Sequence, residues 1–224
     1  DQLVLDTVVN PACDYHASMI EVVDVLYSQT GEIAWGSDLF HDGRGYLTVS
    51  EDLIEYWRQW LDKNTDANAK RIGVNWQGNP EHHADVYRSV PLNTLAPLAS
   101  VPGVELISLQ FGQGAEQLEN CEFAECIKRL PDHVDNDGSA FTDTAAILQH
   151  LDGIVTTDTA IAHLAGAVGA PVMMMVGRVP DWRWLEHGET TRWYPSMQLI
   201  RQSQLGVWDD VVAEIANRIA PASV

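Results

Sequence analysis

The sequence predicts an α/β protein built on a doubly wound parallel sheet, and three observations carry that prediction. From residue 70 onward, short apolar runs rich in β-branched residues alternate with stretches of helical period, the pattern of parallel strands joined by crossover helices. Residues 153–176 spell out one complete strand-helix-strand unit. Polar segments follow each strand, at the sheet end where ligands of this architecture bind.

That unit opens on Gly153-Ile154-Val155-Thr156-Thr157, too short for a helix and β-branched, hence a buried strand. Asp158 is a preferred N-cap, and Ile161, Leu164, Ala165 and Val168 recur at spacings of three and four, so a helix should begin directly after Asp158. Gly169 and Pro171 end it, and residues 172–176 form the next strand. The helix is crowded with small residues, which suits close packing on a sheet or beside a ligand. Its first backbone N–H groups, on Thr159, Ala160 and Ile161, would present partial positive charge where a phosphate-bearing ligand could sit. The Asp158 carboxylate would repel such an anion, so a basic side chain from elsewhere is required. A bare crossover that binds nothing accounts for the same periodicity.

The 224 residues suffice for one good-sized α/β domain, or for one domain and part of another. With 32 acidic against 13 basic residues the formal charge is −19, which argues against nucleic acid and anionic membranes as partners. A small anionic ligand would need a local basic pocket. Cys13, Cys121 and Cys126 form no CxxC pair, and their odd number fits reduced thiols in the cytoplasm. No apolar run approaches the roughly 18 residues of a membrane span. The chain opens on Asp1 rather than methionine, as a piece of something longer would.

Residues 1–67 read as a partial N-terminal domain and 68–224 as a complete C-terminal one, with a polar linker at 63–70. In the first part, residues 3–5 and 8–9 are short apolar runs, 18–27 have helical period behind Ser18, and 31–48 read as an ordered loop. Residues 51–61 make an amphipathic helix capped by Ser50, with Leu53, Ile54, Trp57 and Leu61 on one face. In the second part, 72–76, 104–110 and 198–201 are strands. Residues 92–99, 144–151 (capped by Asp143) and 208–219 are helices.

The long loop 77–89, which carries Gln77, Asn79 and Arg88, has the length of a functional loop. The Arg88 guanidinium can grip two phosphate oxygens or pair with Asp85, and the residues alone leave both roles open. His82, His83 and Asp85 are too crowded for a convincing metal site, so no metal is assigned. Gln110 and Phe111 place an amide and a ring at a strand end, suited to a base or ribose. Trp182 and Trp184 flank Arg183 and could floor a sugar or nucleotide pocket, or form a rigid corner. His163 shares a helix face with Thr159.

Taken together, residues 73–92, 106–112, 141–148, 153–172, 180–184 and 193–202 resemble the glycosyltransferase-like domain found behind tetratricopeptide repeats in many bacterial proteins. That domain is akin to the ADP-heptose:lipopolysaccharide heptosyltransferases of glycosyltransferase family 9. The resemblance implies a GT-B fold: a complete Rossmann-like C-terminal domain that holds a nucleotide-sugar donor without a metal, facing a partial N-terminal acceptor-side domain. Its acceptor would be a glycan, lipid or protein. The resemblance casts Arg88 as the cationic donor-phosphate ligand, Thr159 and Ala160 as the diphosphate cradle, and Asp158 and His163 as members of the same motif. Gln110 then resembles the strand-end residue near the nucleotide. Where the family pattern reads His-x-Asn-Asp-Arg-x-Arg-Ser, this chain has Ala84 and Val86, which removes one polar contact and one charge. The loop that carries the family's catalytic carboxylate has no counterpart here, so no catalytic base is assigned. A non-catalytic binding module of a repeat protein and a ligand-free structural fragment are the alternative readings.

Overall fold

The computed structural model describes residues 18–33, 35, 40, 45–136 and 140–221. The apolar runs at 3–5 and 8–9, and Cys13, lie outside the described residues. The chain order is α1 (Met19–Thr30), α2 (Glu51–Asn64), β1 (Lys70–Asn75), α3 (Asp85–Arg88), α4 (Ala96–Ala99), β2 (Val104–Ser108) and β3 (Ile127–Lys128). It continues with α5 (Thr142–Leu148), β4 (Gly153–Thr156), α6 (Ala160–Ala167), β5 (Val172–Val176), β6 (Met197–Arg201) and α7 (Asp209–Ile219).

The six strands form one sheet in the order β3-β2-β1-β4-β5-β6, every pair parallel. This is the Rossmann order, in which β1 and β4 flank the point where the winding reverses. Adjacent side chains on a strand point to opposite faces, and the packing follows that rule. Ile107, Ile154 and Met174 join Ala162 of α6 and Ile147 of α5 in one core, while Leu106, Val155 and Met175 join Leu98 of α4 and Val212 of α7 in the other. Four consecutive buried residues in β4 show why that strand reads as an unbroken apolar run.

The helix at 51–64 packs on the sheet domain. Trp57 and Leu61 are fully buried in the core that holds α5 and α6, so this helix packs as part of the sheet domain although it precedes the boundary expected at residue 67. Replacement of Leu61 by alanine is therefore expected to cost about 2–5 kcal/mol, read as a lowered midpoint for the single unfolding transition of the sheet domain. A helix belonging to a separate unit would leave that transition in place.

Helix ends differ from the local expectation in informative ways. Ser18 does cap α1, accepting from the Glu21 N–H while Glu21 reaches back to the Ser18 N–H. Ser50 stands at the N-cap of α2 without a side-chain cap bond. Asp143 is not the cap of α5, which starts one residue earlier, behind Phe141 at φ 70°. Its carboxylate instead accepts from Trp57 Nε1 at 2.7 Å and from the Asp135 N–H at 2.9 Å, tying α2 to α5. The helix expected at 92–99 is a 3-10 turn, Leu92–Leu95, followed by α4.

Candidate functional site

An open cavity of about 500 Å³ lies at the carboxyl ends of β1, β2 and β4, on the reversal point of the sheet. Its floor is a buried polar lattice. Asn75, the last residue of β1, accepts from the hydroxyls of Thr156 (3.1 Å) and Thr159 (2.8 Å) and donates to Gln110 Oε1 (2.8 Å). Gln110 Oε1 also accepts the N–H groups of Trp76 and Gln77, and its Nε2 donates to the carbonyls of Gln77 and Gln113. Every polar atom of this amide is thus engaged in holding the loops after β1 and β2 together.

Helix α6 aims its N-terminus into the cavity, with Thr159 rather than Asp158 in the cap position. Of the three N–H groups expected to be free, that of Thr159 donates to the Thr157 carbonyl at 2.8 Å. Those of Ala160 and Ile161 have no partner among the described residues, and both residues line the cavity. Arg88 reaches the same point from α3. Its Nη1 donates to the Asp158 carbonyl at 2.8 Å, and its Nε donates to Asp85 Oδ1 at 3.1 Å. Of the two roles the sequence left open, the Asp85 pair is formed, and it orients the guanidinium at the helix tip. Asp85 is itself held by the Ser89 hydroxyl, which accepts the Gly78 N–H. A Cβ on Gly78 would lie 2.5 Å from Asp85 Oδ1 and 2.7 Å from Arg88 Nη2, so any larger residue there would displace this pair.

His163 lines the cavity one turn into α6. Its Nδ1 lies 2.9 Å from the Tyr194 hydroxyl, its Nε2 lies 3.7 Å from Asp158 Oδ1, and its ring stacks on Trp184. Burial, reinforced by the positive charge of Arg183, pushes the imidazole below its ordinary pKa, against the smaller opposing effects of Asp158 and Asp181.

Gln77, Asn79 and Phe111 line the cavity as well; Phe111 is 42% exposed. Gln77 Oε1 accepts from Gln117, and Asn79 Oδ1 from the Glu81 N–H. Trp182 is not among the lining residues: it is 60% exposed and lies edge-on to Trp193. Its neighbour Arg183 takes that place, its Nε 2.9 Å from Asp181 and its carbonyl accepting from Trp193 Nε1. Sequence reasoning noted Arg183 only as the residue between two indoles, and it passed over Asn75. An arginine between two indoles and an asparagine ending an apolar strand were the available signals. His82 and His83 stack on one another, while Asp85 is committed to Arg88 and Ser89.

Comparison with known proteins bears on this same region. Residues 139–190, which contain β4, α6 and the Asp158 to His163 segment, match the glycosyltransferase family 9 (heptosyltransferase) model. The chain is 24% identical over 184 residues to the protein FlbA of Caulobacter vibrioides, covering 82% of this chain but 30% of FlbA. Among solved structures it is similar to the ADP-heptose lipopolysaccharide heptosyltransferase II of E. coli (16% identity, TM-score 0.47, 77% of this chain and 52% of that one). It is also similar to the E. coli heptosyltransferase WaaC with ADP-2-deoxy-2-fluoro heptose (15% identity, TM-score 0.47, 72% and 47%). The chain thus spans about half the length of these solved relatives and under a third of FlbA. The fold assignment rests on the strand order itself. Among the described residues, no helix is long and apolar enough to cross a membrane.

Proposed function

We propose that this chain is the donor-binding part of a GT-B glycosyltransferase of heptosyltransferase type, taking a nucleoside-diphosphate sugar and, in the complete protein, transferring the sugar to an acceptor hydroxyl. The observation that carries the reading is the meeting of Arg88 with the α6 N-terminus, 70 residues apart in sequence, inside one cavity. A diphosphate at that point would accept from the free N–H groups of Ala160 and Ile161 and from the unengaged Nη2 of Arg88. As the glycosidic bond breaks, charge develops on the leaving diphosphate, and fixed donors of this kind stabilise it without rearrangement. The family match over residues 139–190 supports the same assignment. The activity of the complete protein, its acceptor and any repeats upstream belong to this proposal.

Calorimetric titration with ADP-, UDP-, GDP- and CDP-sugars tests it. One of the four is expected to bind and to be displaced by its free nucleoside diphosphate. Failure of all four would discard the nucleotide reading. A second reading, a binding module without transfer activity, is favoured by one observation: among the described residues lining the cavity, Asp158 is the sole carboxylate, and it faces His163. Donor binding with no sugar release or transfer by the full-length protein would select it.

A further inference from the structure

We propose that Tyr194 is a positioning residue for His163: its hydroxyl donates to Nδ1, fixes the Nε2–H tautomer, and so aims one further N–H at the phosphates of the donor. The inference rests on the donor-binding reading above and adds the residue that sets how the imidazole takes part.

The charges around the ring argue for one direction of the proton, from the hydroxyl to Nδ1. Asp158 Oδ1 stands 3.7 Å from Nε2, so a lone pair on Nε2 would face a carboxylate, whereas an Nε2–H faces an acceptor. The opposite nitrogen must then accept, and the Tyr194 hydroxyl is 2.9 Å away. Tyr194 is nearly buried, and burial together with the neighbouring Tyr46 raises its phenol above the ordinary value, which keeps the proton on the hydroxyl.

The surroundings are shaped for this pair. Gly166 lies three residues after His163 on the same helix, and a Cβ there would run into the Tyr194 ring, so only glycine lets the ring lie against α6. The stack on Trp184 closes the other side of the imidazole. The charged and titratable groups facing His163 are Asp158 before the helix, Arg183 and Asp181 from the turn after β5, and Tyr194 from the segment before β6. Nε2 is the nitrogen left for the cavity.

Tyr194→Phe removes the hydroxyl and keeps the ring. Long-range ¹⁵N correlation of the ligand-free protein should show His163 protonated at Nε2 in the wild type, with Nδ1 as acceptor. In the variant, Nδ1 should lose its hydrogen-bonded shift and the imidazole pKa should rise, because the bond removed stabilises the neutral form. Binding of the nucleotide-sugar found in the titration should weaken about fivefold at pH 8, the size of one neutral hydrogen bond. The deficit should shrink toward pH 5.5, where a protonated imidazole donates from both nitrogens. A purely structural loss would weaken binding equally at both pH values, and that result, or an Nδ1–H tautomer in the wild type, would overturn the proposal. Wild-type protein that shows the Nε2–H tautomer yet binds no nucleotide would overturn the donor reading and the phosphate role with it, while leaving the tautomer assignment standing.

Discussion

Arg88→Ala is expected to weaken nucleotide-diphosphate binding about 10- to 100-fold, the range for loss of one charge-assisted contact worth about 1.5–3 kcal/mol. The guanidinium is already spent on two neighbours, Asp85 and the Asp158 carbonyl, so its cost of ordering is met before the ligand arrives. Arg88→Lys keeps the charge but lacks the fork, and a lysine cannot hold Asp85, the Asp158 carbonyl and a phosphate in one plane. Its binding should fall between wild type and alanine. The alanine variant also leaves the buried Asp85 carboxylate with only the Ser89 hydroxyl, so its melting temperature should drop as well. Calorimetry well below that melting temperature separates the two effects. Equal affinity in the alanine variant would remove Arg88 from the site.

The parts of the structure that were legible in sequence are those governed by short-range periodicity. β4, α6 and β5 fall where apolar runs and three-four spacing place them, and a parallel doubly wound sheet follows from their alternation. The Ser18 cap was legible, whereas the caps of α5 and α6 were not. Asp143 and Asp158 both precede a helical period, and local rules make each a cap. In the folded chain tertiary partners claim them: Asp143 serves Trp57 and the Asp135 N–H, while Asp158 offers its carbonyl to Arg88 and its carboxylate to His163. A cap bond is worth about 1 kcal/mol, and a buried indole N–H or an arginine without a partner costs as much or more. The stronger demand wins. β3 escaped because two residues carry no period. The polar lattice under the site escaped because it joins strands that are neighbours only in the sheet.

That lattice gives the other large expected effect. Gln110→Ala should lower stability by about 3–5 kcal/mol, a fall of about 10–15 °C in melting temperature for a chain of this size. Gln110 is 7% exposed, and its truncation leaves the N–H groups of Trp76 and Gln77 and the Asn75 amide without their common acceptor. The carbonyls of Gln77 and Gln113 lose their donor in the same step. Gln110→Glu keeps the shape and the acceptor but turns a negative oxygen toward those two carbonyls, so it should also destabilise, by a smaller amount that grows as pH rises through the carboxylate range. The sequence offered Gln110 as a residue near the nucleotide, and the two roles separate cleanly. A side chain that only contacts ligand would change affinity and leave the ligand-free melting temperature untouched. A staple between β1 and β2 must lower that temperature first, and donor affinity then falls because Arg88 and Gln77 ride on the loop the staple holds.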